Sequence, residues 1–185
     1  MEKIAIKATK REIGTKAAKI IRRQGLVPAV YYKHGEEAIS ITLDPKELKQ
    51  FVYTKEVKLA ELNIEGENKP CPAYLKEVKF HPVTDEMIHC DFLGLDEDKK
   101  MEFVVPIRIV GTSEGVRKGG ILQQNLFKMK VKCLPKDLVP FLEVDITPML
   151  QGDVIQVANL KSDTIDFVLP PSTTIVQVAQ SRVQS

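Results

Sequence analysis

Five consecutive charged residues, Asp96-Glu97-Asp98-Lys99-Lys100, cut a 185-residue chain near its middle. A run of this kind is too costly to bury and reads as a linker, so a single core does not pass through it. At roughly 150 residues per domain the length allows one domain or two small ones. The charged run decides for two, 1–95 and 96–185. Hydrophobic residues make up 43% of the chain and charged residues 28%, a balance that supplies two small cores and excludes a disordered tail. No window of eighteen apolar residues exists, so no membrane-spanning helix is expected. The start, Met1 to Lys7, lacks the apolar stretch of a secretory signal. Cys71, Cys90 and Cys133 are odd in number and widely spaced, which argues against a disulfide framework and for a reducing cytoplasm.

The first half alternates between strand and helix signals. Residues 2–8 alternate, with Ile4 and Ile6 on one face. Gly14 to Gly25 reads as a helix, with Thr15 as a cap and Gly25 as the C-terminal left-handed residue. Ala17, Ile20, Ile21 and Gln24 then share one side, and Lys16, Lys19, Arg22 and Arg23 point largely to the other. Val27–Tyr32 and Ala38–Leu43 read as strands. Asp44-Pro45-Lys46-Glu47 is a helix start with an Asp cap, Pro at the first position and Glu at the third. Lys58–Ile64 and Pro72–Phe80 form a hairpin around Glu65-Gly66-Glu67-Asn68, and Met87–Leu95 is a closing strand. Past the linker nearly everything is strand-like: Met101–Val110, Ile121–Cys133, Phe141–Ile146, Val154–Val157, Ile165–Leu169 and Thr173–Ala179, separated by Gly, Pro and Asn/Asp turns. Gln180–Ser185 reads as a frayed tail. The expected class is mainly β with some α: an α+β domain, then an all-β domain.

Charge narrows the partner. Residues 1–33 carry nine Lys or Arg against two Glu, a local +7; residues 34–95 stand at −5 and residues 96–185 at zero. Only the head looks able to attract a polyanion. Lys10, Arg11, Lys16, Lys19, Arg22 and Arg23 fall within fourteen residues with Glu12 as the sole acid. Solvated helix faces ordinarily place acids at i+4, but Lys19 meets Arg23 there, a repulsive pair. A face that repels itself favours an external anion, and the pattern points to nucleic acid over a solvated face.

Catalytic and metal chemistry find little support. On a strand His89 and Asp91 face one side while Cys90 faces the other, so the three do not form a local nucleophile–base pair. The cysteines and histidines show no CxxC, HxH or HExxH spacing, and no metal or cofactor is expected. Gly111 to Gly120 lacks the Gly-Lys-Ser/Thr ending of a phosphate loop and reads as a β–β loop. Glu36-Glu37 lies in a turn. An enzyme reading, with Cys90 as nucleophile and His81 or His34 as its base, stands last. A protein-interaction module working through the neutral β domain stands second.

At Arg22-Arg23-Gln24-Gly25-Leu26-Val27-Pro28-Ala29-Val30-Tyr31-Tyr32 the chain resembles a bacterial family of large-subunit ribosomal proteins that bind 5S ribosomal RNA, in the long form known as the general stress protein Ctc family. That family carries a basic helix followed by Arg-x-x-Gly-x-Val-Pro-Ala-Val-x-Tyr-Gly. His89-Cys90-Asp91-Phe92 is similar to its His-x-Asp-Phe. Val105-Pro106-Ile107, Gly115 to Gln124 and Cys133-Leu134-Pro135 match in the second half. The resemblance implies an N-terminal six-stranded β-barrel-like domain that docks on the loop E region of 5S RNA, followed by a C-terminal all-β domain. It also implies a cytoplasmic, ribosome-associated protein with no small-molecule substrate. Carried over by position, the RNA-facing residues are Lys10, Arg11, Lys19, Arg22, Tyr32, His89 and Asp91. Lys33 stands where the family has glycine, Lys16 where glycine is frequent, and Ile20 where a basic residue is usual.

Overall fold

The computed structural model describes residues 3–67, 69–160, 162 and 164–180. Asn68 of the expected hairpin turn and residues 181–185 of the expected frayed tail lie outside them. The described residues fall into two compact units that divide between Lys99 and Lys100.

The first unit is a closed six-stranded barrel. Its strands are β1 (Lys3–Lys10), β2 (Val27–Tyr32), β3 (Ile39–Leu43), β4 (Leu59–Ile64), β5 (Cys71–Phe80) and β6 (Met87–Gly94), in the order β1-β3-β2-β6-β5-β4. β1 runs parallel to β4 and β2 parallel to β6; the other neighbours are antiparallel. Period-two alternation fills the interior: Ile6 and Ala8 from β1, Ala29 and Tyr31 from β2, Ile41 and Leu43 from β3, Cys90 and Phe92 from β6 are all buried. Closure leaves no sheet edge to cover.

Two helices attach to this barrel, α1 (Thr15–Arg23) and α2 (Pro45–Val52). The start of α2 forms as its sequence indicates, with the Asp44 carboxylate accepting the Lys46 N–H at 2.8 Å and Pro45 at the first position. Glu47 has a different partner from a reciprocal cap. Its carboxylate accepts the backbone N–H of Lys7 at 2.9 Å and so fastens the helix to β1.

The second unit carries β7 (Met101–Val110), β8 (Ile121–Gln124), β9 (Lys128–Cys133), β10 (Leu142–Asp145), β11 (Val154–Gln156), β12 (Asp166–Phe167) and β13 (Thr174–Ala179). They form a four-stranded sheet ordered β10-β7-β9-β12 and a three-stranded sheet ordered β11-β13-β8. The expected strand Ile121–Cys133 is two strands in two sheets. Asn125 and Leu126 both donate their N–H to the Ile175 carbonyl, at 2.9 and 3.3 Å, which ends β8 and lets β9 start beside β7. The β–β loop at 111–120 also departs from expectation, since it holds a one-turn helix, α3 (Glu114–Arg117). Ser113, fully buried, makes this possible. Its hydroxyl accepts the N–H groups of Gly115 and Val116 at 3.0 and 3.3 Å and donates to the Met149 carbonyl at 2.6 Å. A Cβ on Gly115 would stand 2.5 Å from the Leu150 carbonyl carbon, so only glycine fits there.

Candidate nucleic-acid interface

α1 ends as the sequence reading requires. Gly25 has φ 78°, the Leu26 N–H bonds the Ile21 carbonyl at 3.1 Å and the Gly25 N–H bonds the Arg22 carbonyl at 3.0 Å. This crossed pair satisfies two carbonyls that a helix end otherwise leaves open. The start differs from expectation. Gly14 is the cap residue, Thr15 is the first helical residue, and no side chain caps the end. The docking face differs as well: Ala17, Ala18 and Ile21 are half-buried, whereas Ile20 is 55% exposed and Gln24 is exposed. The contact stripe is thus rotated toward Ala18. The small alanines let the helix lie close to the barrel, and the longer Ile20 side chain falls outside the contact.

No residue of α1 is fully buried, so polar bonds do much to orient it. The principal one comes from Arg22, whose Nε donates to the Ile88 carbonyl at 3.0 Å. Ile88 directly precedes His89 on β6. The end of the basic helix is therefore clamped to the strand that carries His89 and Asp91, although 66 residues separate Arg22 from Ile88. A guanidinium has five N–H donors, and this bond uses one.

Arg11 is held at the end of β1. Its backbone N–H bonds the Ser40 carbonyl at 3.0 Å, its Nε donates to the Ile41 carbonyl at 3.2 Å, and Nη1 to the Glu12 carbonyl at 3.2 Å. Burial, and then repulsion from Arg22, lower its pKa from the ordinary arginine value. Among the described residues, none of Arg11, Lys16, Lys19, Arg22 and Arg23 forms an ion pair with a carboxylate.

His89 and Asp91 project from the outer side of β6 with Cys90 wholly buried between them. His89 Nδ1 and Asp91 Oδ1 are 2.7 Å apart, and the side chains are 25% and 28% exposed. The carboxylate holds the ring in one orientation and leaves Nε2 for a ligand. The barrel register ties this pair to Arg11. Ser40, bonded to Arg11, pairs with Val30, and Val30 pairs with Asp91. One row of the outer surface therefore leads from Arg11 to Asp91 across three strand spacings, about 14 Å.

The remaining expected residues spread from this centre. Tyr32 is half-buried on the same side of β2, two residues or about 7 Å past the Val30–Asp91 row, with Lys76 Nζ 5.6 Å from its ring centroid. Lys19 is exposed on α1. Lys10 stands apart. It shares the parity of Ile4, Ile6 and Ala8, and its Nζ pairs with Glu67 at 2.8 Å at the mouth of the barrel. The head thus contributes fewer unneutralised cations to this surface than its count of basic residues suggests. The sequence reading missed two lysines of β5. Lys76 lies over Tyr32, and Lys79 is register partner to His89. The register also sets Glu77 opposite Asp91, and Lys76 stands at the bulge between Leu75 and Glu77.

The same register disposes of Cys90 as a nucleophile. Burial pushes its thiol pKa up to about 12, which keeps it protonated, and His34 and His81 are exposed. In the folded chain at pH 8 a maleimide is expected to label the half-buried Cys71 well before Cys90 or Cys133, both 0% exposed. Peptide mapping of a labelling time course checks this. Labelling of Cys90 as fast as Cys71 would contradict the barrel register.

Comparison with known proteins bears on both units. The ribosomal L25p family matches residues 6–92, and the C-terminal domain of ribosomal protein TL5 matches residues 100–182. The large ribosomal subunit protein bL25 of Chlorobium phaeovibrioides is 34% identical over 187 residues, covering 100% of this chain and 92% of its own. That of Porphyromonas gingivalis is 34% identical over 171 residues, with coverage of 92% and 88%. That of Chloroherpeton thalassium is 37% identical over 174 residues, with coverage of 91% and 86%.

Proposed function

The chain belongs to the ribosomal L25p family of large-subunit proteins, in a two-unit form, and from that premise we propose that its barrel binds the loop E region of 5S ribosomal RNA. It is a structural protein of the large ribosomal subunit, not an enzyme, and its place is on the ribosome in the cytoplasm. The observation that carries the RNA reading is that Arg22 of α1 is bonded to the main chain beside the outward His89–Asp91 pair of β6, while Arg11 at the end of β1 lies on the same barrel row as Asp91.

The chemistry divides the work. Arg22, Arg11 and Lys19 neutralise phosphates and set register, whereas base edges and sugar hydroxyls are read by uncharged or paired groups. The minor groove of A-form RNA is wide and shallow and displays 2′-hydroxyls, so an outer barrel face with short polar side chains can approach it. His89, oriented by Asp91, hydrogen-bonds a sugar or a base edge through Nε2, and Tyr32 offers its hydroxyl at the far end. Asp91 also disfavours a phosphate backbone seated one step out of place.

The test is a titration of the full chain against 5S RNA over a salt series, with generic duplex RNA as the reference. Tight, salt-dependent binding that prefers 5S RNA is expected, and equal affinity for both RNAs would refute the assignment. Each phosphate neutralised contributes roughly −0.9 to the log–log slope. Arg22→Ala is therefore expected to flatten the 5S slope by about one unit. An unchanged slope would make Arg22 only the clamp between α1 and β6.

A further inference from the structure

We propose that the second unit carries its own contact for the phosphate backbone of RNA, on the solvent side of β7 and β9, a surface beyond the barrel reading above. Residues 96–185 are neutral in sum, but β9 gathers three lysines on one face. Along β9 exposure alternates strictly: Lys128, Lys130 and Lys132 are exposed, while Met129, Val131 and Cys133 are 0% exposed. The buried residues anchor the strand, so three ammonium groups rise from one face at intervals of about 6.8 Å.

Their neighbours leave most of that charge uncompensated. Lys128 pairs in register with Pro106 and Lys130 with Val104, both neutral. On the far side the Val168 N–H bonds the Lys130 carbonyl, and Val168 is 46% exposed. Among the described register partners of the three lysines, acids stand beside Lys132, namely Glu102 on β7 and Asp166 on β12, and Asp166 is bonded to Lys100 at 2.6 Å. Arg108, two residues beyond Pro106 on the same side of β7, adds a fourth cation above the Phe141 ring at 5.0 Å. On β10, Glu143 is its register partner. Among the described residues no carboxylate forms an ion pair with Lys128, Lys130, Lys132 or Arg108, whereas Lys99, Lys100 and Lys118 all have one.

Like charges held at fixed spacing around neutral Val104 and Pro106 cost free energy in the isolated protein. A polyanion with regularly repeated charges offsets all of them together, and an RNA backbone is such a polymer. Lysines suit this role because the ammonium is a point charge that follows phosphates without requiring a bidentate geometry.

The experiment compares full-length wild type with the triple variant Lys128→Gln/Lys130→Gln/Lys132→Gln, titrated with a generic RNA duplex of about twenty base pairs from 50 to 200 mM salt. All three lysines are exposed, so the fold is expected to persist, with thermal melting as the check. Three lost phosphate contacts remove about 2.7 units of log–log slope, equivalent to about 40-fold of the affinity change across that fourfold range. A second variant, Lys19→Gln/Arg22→Gln, alters only the barrel surface, so its slope reports on the barrel reading separately. The proposal is overturned if the triple variant keeps the wild-type slope. It is equally overturned if the loss appears with polyglutamate but not with RNA, which would make the face a site for an acidic protein.

Discussion

Replacing His89 or Asp91 by alanine is expected to weaken binding to 5S RNA by roughly tenfold to a hundredfold while leaving generic duplex RNA nearly unaffected. A hydrogen bond lost to a partner left dry costs on the order of 1–3 kcal/mol, which sets that range. The selectivity follows from the geometry. His89 and Asp91 are paired at 2.7 Å and add little net attraction for a phosphate backbone. Arg22 is held by the Ile88 main chain, so neither substitution removes its anchor. Asp91→Asn retains an oxygen able to accept from Nδ1 and is expected to recover part of the loss that Asp91→Ala shows. Titrations with both RNAs at one salt concentration decide the matter. Equal weakening on the two RNAs, or none on either, would leave the pair a self-satisfied surface feature.

The largest effect on stability is expected at Phe92. It is 0% exposed in the barrel core, its register partners are Tyr31 on β2 and Leu75 on β5, and it directly follows Asp91. Truncating a buried phenylalanine to alanine costs roughly 3–5 kcal/mol, the sum of lost transfer energy and a residual cavity. Against a domain stability of about 5–15 kcal/mol this is a large fraction. Urea unfolding of Phe92→Ala should therefore show a midpoint far below that of wild type. Binding to 5S RNA at temperatures where the barrel still folds should fall less, because the outward pair remains on its strand. A loss below about 1 kcal/mol would place Phe92 outside the packed interior.

Much of the barrel was legible because its information is local. The alternation in Lys3–Ala8 and Ile39–Leu43 reports which side of each strand is buried, and the Asp44-Pro45 start and Gly25 end of the helices follow from single-residue chemistry. Local pattern and fold part where tertiary contacts choose between local options. Ile121–Cys133 reads as one continuous strand, yet the Ile175 carbonyl takes two of its N–H groups and divides it between two sheets. The 111–120 loop gained a helical turn because the Met149 carbonyl gives the buried Ser113 hydroxyl a partner. Periodicity puts Ile20 on the apolar face, but the helix seats on its alanines instead.

For the candidate RNA surface the division has the same cause. The residue types were present in the sequence: a self-repelling basic helix, a His-x-Asp spacing that puts both side chains on one face, and a Lys-x-Lys-x-Lys strand. Alternation decides facing, and it depends only on neighbours two residues apart. Which cations remain available, and which elements meet, depended on the closed barrel. Closure carried Lys10 to Glu67 and brought Arg22 against Ile88 beside the His89–Asp91 pair. Those contacts join residues up to 66 positions apart, and strand order and register, not local spacing, determine them.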